Sequence, residues 1–218
     1  MSATRRAERR AAIRGFRRAQ LLEAAQGVFM ERGLDGATMR AIAEAAGCAV
    51  GTLYLHFADK EAMYAALLED SLDELAAQVR AAGETETDPH RRARTVLGGM
   101  YSFYAARPDE LELGLYLFGG ARRRGLGPEA DRRLNAGLEK TIDLKIGALR
   151  AIAPGLDDGR ARAIVAGLLA ETVGALILQA TGRLKLLAVS ARELVARRVE
   201  VSIAETESVL PPGREKDA

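Results

Sequence analysis

Along nearly all of its 218 residues this chain repeats apolar side chains every three or four positions and never alternates them in twos. That pattern excludes half-buried strands, which need a period of two, and favours helices with one buried face. Leu21, Leu22, Ala25, Val28 and Phe29 form one such stripe. Turn residues cut the pattern at Gly33–Gly36, Gly47, Ala58–Asp59, Ala82–Asp88, Arg107–Pro108, Gly119–Pro128, Pro154–Asp158 and Gly182–Ser190. The breaks predict nine helices, near 17–32, 39–46, 50–56, 60–81, 89–106, 109–118, 128–152, 157–181 and 190–208. The expected fold class is therefore all-α. Three short helices form a small N-terminal module, and helix 60–81 links it to a larger helical bundle.

Composition narrows the function. Cys48 is the only cysteine, which excludes a disulfide framework and fits a reducing compartment, so a cytoplasmic location is expected. Aromatic residues are 5% and tryptophan is absent, so the core must be aliphatic. Only His56, His90 and Cys48 are soft metal ligands, too few for a zinc site. No phosphate-binding loop, dinucleotide fingerprint or nucleophile–base pair is present. Neither a cofactor, a metal nor an enzymatic activity is expected. The most apolar stretch, 164–180, contains Glu171, Thr172 and Gln179 and reads as a core or interface helix, too short and polar to span a membrane.

The net charge of +2 hides an asymmetry. Residues 1–20 hold seven arginines against Glu8, a net +6, which leaves −4 on the other 198 residues. A basic arm over 1–16 ahead of an acidic body suggests a polyanionic partner, or simply a solvated, poorly ordered terminus. No apolar segment follows the arginines as a secretion signal requires.

The strongest local signal is Ala43-x3-Gly47-x5-Leu53. A helix-turn-helix needs a small residue where its helices cross, a residue at ease with positive φ in the turn, and an apolar residue facing back from the second helix. Thr38 can cap helix 39–46 or meet a phosphate. Helix 50–56 offers Thr52, Tyr54 and His56 to a groove. Asp59 can cap the next helix, placing Lys60 beside free N–H groups as a phosphate site. Arg40 is either a solvated charge or a phosphate contact, and Phe57 reads as core.

With these residues in place, Arg18–Leu67 resembles the DNA-binding region of the tetracycline-repressor (TetR) family. The match runs through Leu21-Leu22, Ala24-Ala25, Phe29-x3-Gly33, Thr38, Ile42-Ala43, Ala45-Ala46-Gly47-x3-Gly51-Thr52-Leu53-Tyr54, His56-Phe57 and Lys60. The resemblance implies that helix 50–56 enters the major groove of double-stranded operator DNA. Thr38, Arg40, Val50, Gly51, Thr52, Tyr54, His56 and Lys60 would then form the DNA surface. Two positions depart from the family. Ala49 replaces the usual serine or threonine cap, so the turn or Gly51 must compensate. Cys48 replaces a common valine and reads as a small core residue. Val50 offers only apolar contact, such as to a thymine methyl.

The resemblance gives residues 17–60 the DNA-binding role, 61–210 effector binding and dimerisation, and leaves 211–218 a flexible tail. On helix 157–181, Ala163, Gly167, Ala170 and Gly174 make a stripe of small residues with Ile177 and Leu178 beside it. That stripe is the expected homodimer face, with packing inside one chain as the alternative. Thr172, Leu176 and Gln179 lie on the opposite face, where the family carries an effector pocket. Met100, Tyr101, Tyr104 and Tyr116 would complete it around an apolar or amphipathic molecule. The expected protein is thus a ligand-responsive homodimeric repressor. The alternative is a DNA-binding dimer controlled without a small molecule.

Overall fold

A computed structural model describes residues 3–116 and 125–208. Among them it contains nine α-helices, one 3-10 turn and no strand. The helices are α1 (Ala3–Gly36), α2 (Met39–Ala45), α3 (Val50–Tyr54), α4 (Lys60–Glu84), α5 (Pro89–Ala105), α6 (Pro108–Tyr116), α7 (Pro128–Ile152), α8 (Asp158–Ala180) and α9 (Ala191–Glu207). The tail 211–218 lies outside the described residues.

The chain divides into two compact units: Met1–Ser71 with Glu112–Leu134, and Leu72–Leu111 with Asn135–Ala218. In the first, α1, α2 and α3 close over a small aliphatic core in which Leu21, Ala25, Ile42, Leu53 and Met63 are wholly buried. Phe29 meets Tyr64 edge-on at 5.0 Å between ring centroids. The Tyr64 hydroxyl donates to the Leu113 carbonyl. Arg18 lies over the Phe57 ring and pairs with Asp70 at 3.0 Å, tying α1 to α4.

The second unit packs α8 against α9 and α5, with Leu97, Phe103, Leu149, Leu168 and Leu176 at its centre. Helix ends follow their sequence signals. Asp88 caps α5 ahead of Pro89, Asp157 caps α8, and Ser190 with Glu193 forms a reciprocal capping box on α9. Glycine permits one close approach: a Cβ at Gly99 would stand 2.6 Å from Val79 Cγ2. Lys145 is wholly buried, and its ammonium donates to the carbonyls of Val96 and Leu97. Burial lowers its pKa to about 7.

Three expectations change. The arm is not separate from the first helix: α1 starts at Ala3, not near residue 17. Alanine and arginine are among the strongest helix formers, and only Gly15 interrupts them. The recognition helix is shorter than 50–56, because Leu55 is already its C-cap and Phe57 turns into the core. Finally, α8 is long and apolar enough to cross a membrane, with mean hydropathy 1.8 over an 18-residue window. The polar residues within 164–180 are outweighed by the eight Ile, Leu and Val residues of the same stretch. Ile164, Val165, Leu168, Thr172 and Leu176 are nevertheless buried against other helices, as in a helical core.

Candidate nucleic-acid interface

The helix-turn-helix is built by local rules. Thr38 is extended (φ −134°, ψ 150°) and its hydroxyl accepts from the Ala41 N–H at 3.1 Å, capping α2. Ile42 and Ala43 turn inward. Gly47 takes φ +61°, a left-handed value at which a side chain is strained, and the Cys48 N–H returns to the Ala43 carbonyl. Ala49 is extended at the N-cap of α3 with no side-chain cap bond. The Thr52 N–H bonds the Ala49 carbonyl instead.

Leu53 alone on α3 is fully buried. At about 100° per residue, Gly51 and Leu55 point away from it, flanked by Thr52 and Tyr54, while Val50 lies nearer the Leu53 side. Tyr54 is 58% exposed and Leu55 is 82% exposed. Thr52, Val50 and His56 are half-buried, while Thr38 and Arg40 are exposed. The His56 ring leans on Phe57 at 6.4 Å. The outward surface is therefore mostly neutral, with no acid on α3 to repel a phosphate. Leu55 was missed by sequence reasoning. An apolar residue beside Tyr54 reads as core until the shortness of α3 is known.

Lys60 requires a correction. Its ammonium donates to the carbonyls of Leu34 (2.8 Å), Asp35 (3.3 Å) and Ala37 (2.9 Å). All three of its donors are spent on backbone carbonyls that follow the break in α1 at Gly33, where φ is +66°. Its place is a staple between α4 and α1 rather than a phosphate contact. The adjacent cap does form, with the Ala62 N–H on Asp59 at 2.7 Å.

Among the described residues, those expected around an effector are placed differently from one another. Tyr104, Thr172 and Leu176 are packed into the core. Met100 is half-buried against it, and Tyr101 donates to Gln179 at 3.1 Å. Tyr101 borders a cleft of about 290 Å³ between α5 and α9. Thr172 is polar, yet it is buried. The side chain of Tyr116 lies outside the described residues. A larger cleft of about 530 Å³ opens elsewhere, between α4, α5 and α7. Val96, Leu144, Ala148 and Ala151 form its apolar walls, and Arg80, Glu84, Arg92, Lys140 and Asp143 a rim of mixed charge.

On α8, Ala163 and Ala170 are exposed, and Gly174, Ile177 and Leu178 are half-buried. Gly167 faces α9 of its own chain: a Cβ there would stand 2.8 Å from the Arg198 guanidinium. Part of the small-residue stripe therefore serves packing within one chain. Among the described residues no three His, Cys, Asp or Glu side chains gather as a metal site.

Residues 21–67 match the family described as bacterial regulatory proteins, tetR family. The HTH-type transcriptional activator FasR of Mycolicibacterium smegmatis is 41% identical over 90 residues, covering 41% of this chain and 41% of FasR. The HTH-type transcriptional repressor KstR2 of Mycobacterium tuberculosis is 40% identical over 100 residues, covering 46% of this chain and 49% of KstR2. Either likeness spans less than half of the relative's length.

Among solved structures, Bacillus subtilis FadR in complex with stearoyl-CoA has a TM-score of 0.67 at 20% identity, covering 86% of this chain and 98% of that one. The TetR-family regulator PfmR of Thermus thermophilus has a TM-score of 0.63 at 19% identity, covering 84% and 97%. At that identity the likeness shows the fold, and it extends through the helical body. These named proteins are transcriptional regulators rather than enzymes. Residues 21–67 thus carry the DNA-binding domain of the bacterial regulatory proteins, tetR family, and the all-α body behind it shares the fold of solved regulators of that family.

Proposed function

We propose that this protein is a cytoplasmic, homodimeric DNA-binding repressor that leaves a partly palindromic operator when a small amphipathic molecule binds its helical body. The observation that carries the DNA reading is α3: Leu53 anchors it, Gly51, Tyr54 and Leu55 face outward, and Val50 and Thr52 are half-buried at its edges. A surface of that shape and size fits the major groove, with Thr52 and Tyr54 as the polar readers and Val50 and Leu55 as apolar contacts.

Two features support dimerisation. Only a third of the apolar window of α8 is buried within the chain. Its exposed small residues, Ala163 and Ala170, let a partner helix approach closely. A two-fold dimer presents two copies of α3, and half-sites of such dimers lie about one helical turn apart or a multiple of it.

The effector's place is the cleft between α4, α5 and α7, whose volume falls within the ~300–1,000 Å³ typical of small-molecule sites. Its apolar walls, with Arg80 on the rim among the acids Glu84 and Asp143, fit an amphipathic molecule. Such a molecule shifts the repressor toward release only by binding that state more tightly. The close packing of Tyr104, Thr172 and Leu176 favours a second reading, a DNA-binding dimer without a small-molecule effector.

One experiment addresses dimer and effector together. Light scattering at micromolar concentration gives the mass, and a thermal-shift screen of amphiphiles follows on the same sample. A dimeric mass with reproducible stabilisation supports the full reading. Stabilisation of wild type but not of Gly147→Leu, which places a side chain in the cleft, locates the effector. A dimer that no compound stabilises leaves the second reading, and a monomer contradicts both.

A further inference from the structure

We propose that the N-terminal half of α1 is a preformed basic helix that docks on duplex DNA flanking the operator. The inference rests on the DNA-binding reading of α2 and α3 and goes beyond it. It starts from an arm that is helical from Ala3 and continuous with the part of α1 that packs Leu21, Leu22 and Ala25 into the DNA-binding module.

The helix segregates its side chains. At about 100° per residue, Arg5, Arg9, Arg10, Arg14 and Arg17 fall with Ile13 and Phe16 on one half of its circumference. The other half carries Ala7, Glu8, Ala11, Ala12 and Gly15. Arg5, Arg9, Arg10 and Arg14 are exposed, and among the described residues they make no ion pair or hydrogen bond. Arg17 reaches only the neutral Gln20, at 3.3 Å. Ile13 is 58% exposed and Phe16 68% exposed, beside those cations. Like charges at Arg5 with Arg9 and at Arg10 with Arg14 are i, i+4 neighbours, a spacing that weakens an isolated helix.

A polyanion answers each of these features. It neutralises the guanidiniums, relieves their repulsion, and gives Ile13 and Phe16 a surface to cover. From Arg5 to Arg17 the helix spans about 18 Å at ~1.5 Å per residue, the length of about five phosphates on one DNA strand at ~3.4 Å each. Helices dock in grooves or along the backbone with such spacing, and apolar side chains among arginines suit the minor-groove floor or its edge. Because α1 is already folded from Leu21 onward, the arm adds contacts without nucleating a new helix.

The test compares the full chain with a variant carrying Arg5→Ala, Arg9→Ala, Arg10→Ala and Arg14→Ala, which preserves helix propensity. Each is titrated on its selected operator, with and without flanking duplex, between about 50 and 200 mM salt. Four lost phosphate contacts per chain should reduce the slope of log affinity against log salt by about 3–4. Over that salt range each wild-type chain should then lose about 100-fold more affinity than the variant. The wild-type hydroxyl-radical footprint should extend into the flank by about five base pairs, and the variant footprint should stop at the operator.

Equal slopes and equal footprints would overturn the proposal and leave the arginines facing water. So would arm-dependent binding to phosphatidylserine vesicles with an unchanged footprint, which would assign the arm to a membrane surface. Absence of any selected operator for wild type would instead be a failure of the α2–α3 reading. The two failures are therefore distinguishable.

Discussion

Replacing Lys145 by methionine should make the protein more stable and remove most of its pH dependence above neutrality. Lys145 is wholly buried, and burial lowers its pKa from 10.5 to about 7. Its ammonium donates to the Val96 and Leu97 carbonyls, which lie within α5. Those carbonyls are placed to accept the helical N–H groups of Met100 and Tyr101, so methionine leaves them bonded. Methionine also nearly preserves the volume.

Between pH 7 and 10.5 the unfolded chain holds the Lys145 proton and the folded chain has lost it. Stability must therefore rise with pH across that window. The burial penalty is fully present below pH 7 and is relieved as pH climbs. The limiting slope is about 1.4 kcal/mol per pH unit, so stability should gain roughly 2 kcal/mol from about pH 7 to 9. For a chain of this size that is a rise of roughly 4–8 °C in Tm. The other resolved shifts are lowered carboxylates and raised arginines, which titrate outside this window. Urea unfolding at fixed protein concentration and several pH values gives the comparison. Wild type should climb and Lys145→Met should stay flat and above it at pH 7. Parallel pH curves would refute the reasoning, as would a variant several kcal/mol less stable, because the ammonium would then be a net anchor.

Four further substitutions probe the local arguments. Ala49→Ser supplies the missing side-chain cap at an N-cap already extended, and should raise stability by up to about 1 kcal/mol in urea unfolding without shifting operator preference. Thr141→Val removes a buried hydroxyl with no hydrogen-bond partner. It should stabilise by roughly 1 kcal/mol in the same assay. Glycine to alanine should have opposite signs at two helical positions. Gly15→Ala meets open space and should increase helicity by circular dichroism, by roughly 1 kcal/mol of propensity. Gly99→Ala drives its Cβ to 2.6 Å from Val79 Cγ2 and should lower Tm through roughly 1–3 kcal/mol of overpacking.

The features legible in the sequence are those set by short-range rules. Thr38 as a cap, Gly47 at positive φ, and Leu53 as the inward residue of α3 all depend on neighbours within a few positions. The helical state of the arm was obscured because an Ala/Arg run without an apolar stripe reads equally as a charged tail and as a solvated helix. The role of Lys60 depends on carbonyls at Leu34–Ala37, more than twenty residues away, turning toward α4. Likewise, polarity and spacing placed Thr172 on one face of α8. Only the helices opposite it decide that this face is packed rather than hollow. Lys145 runs against its own pattern: Thr141, Lys145 and Leu149 share one buried stripe of α7, where periodicity alone would place apolar residues.

The central claim is that α3 reads sequence in duplex DNA. Selection of bound fragments from the source organism's genomic DNA, near physiological salt, tests it most directly. Tyr54→Ala serves as the comparison, because Tyr54 is 58% exposed and its loss should leave Tm unchanged. The account predicts a recurring, partly palindromic site for wild type, and roughly 10- to 100-fold weaker binding to it by Tyr54→Ala, the effect of ~1–3 kcal/mol from one lost groove contact. Recovery of unrelated fragments only, released as salt rises and bound equally by Tyr54→Ala, would contradict it.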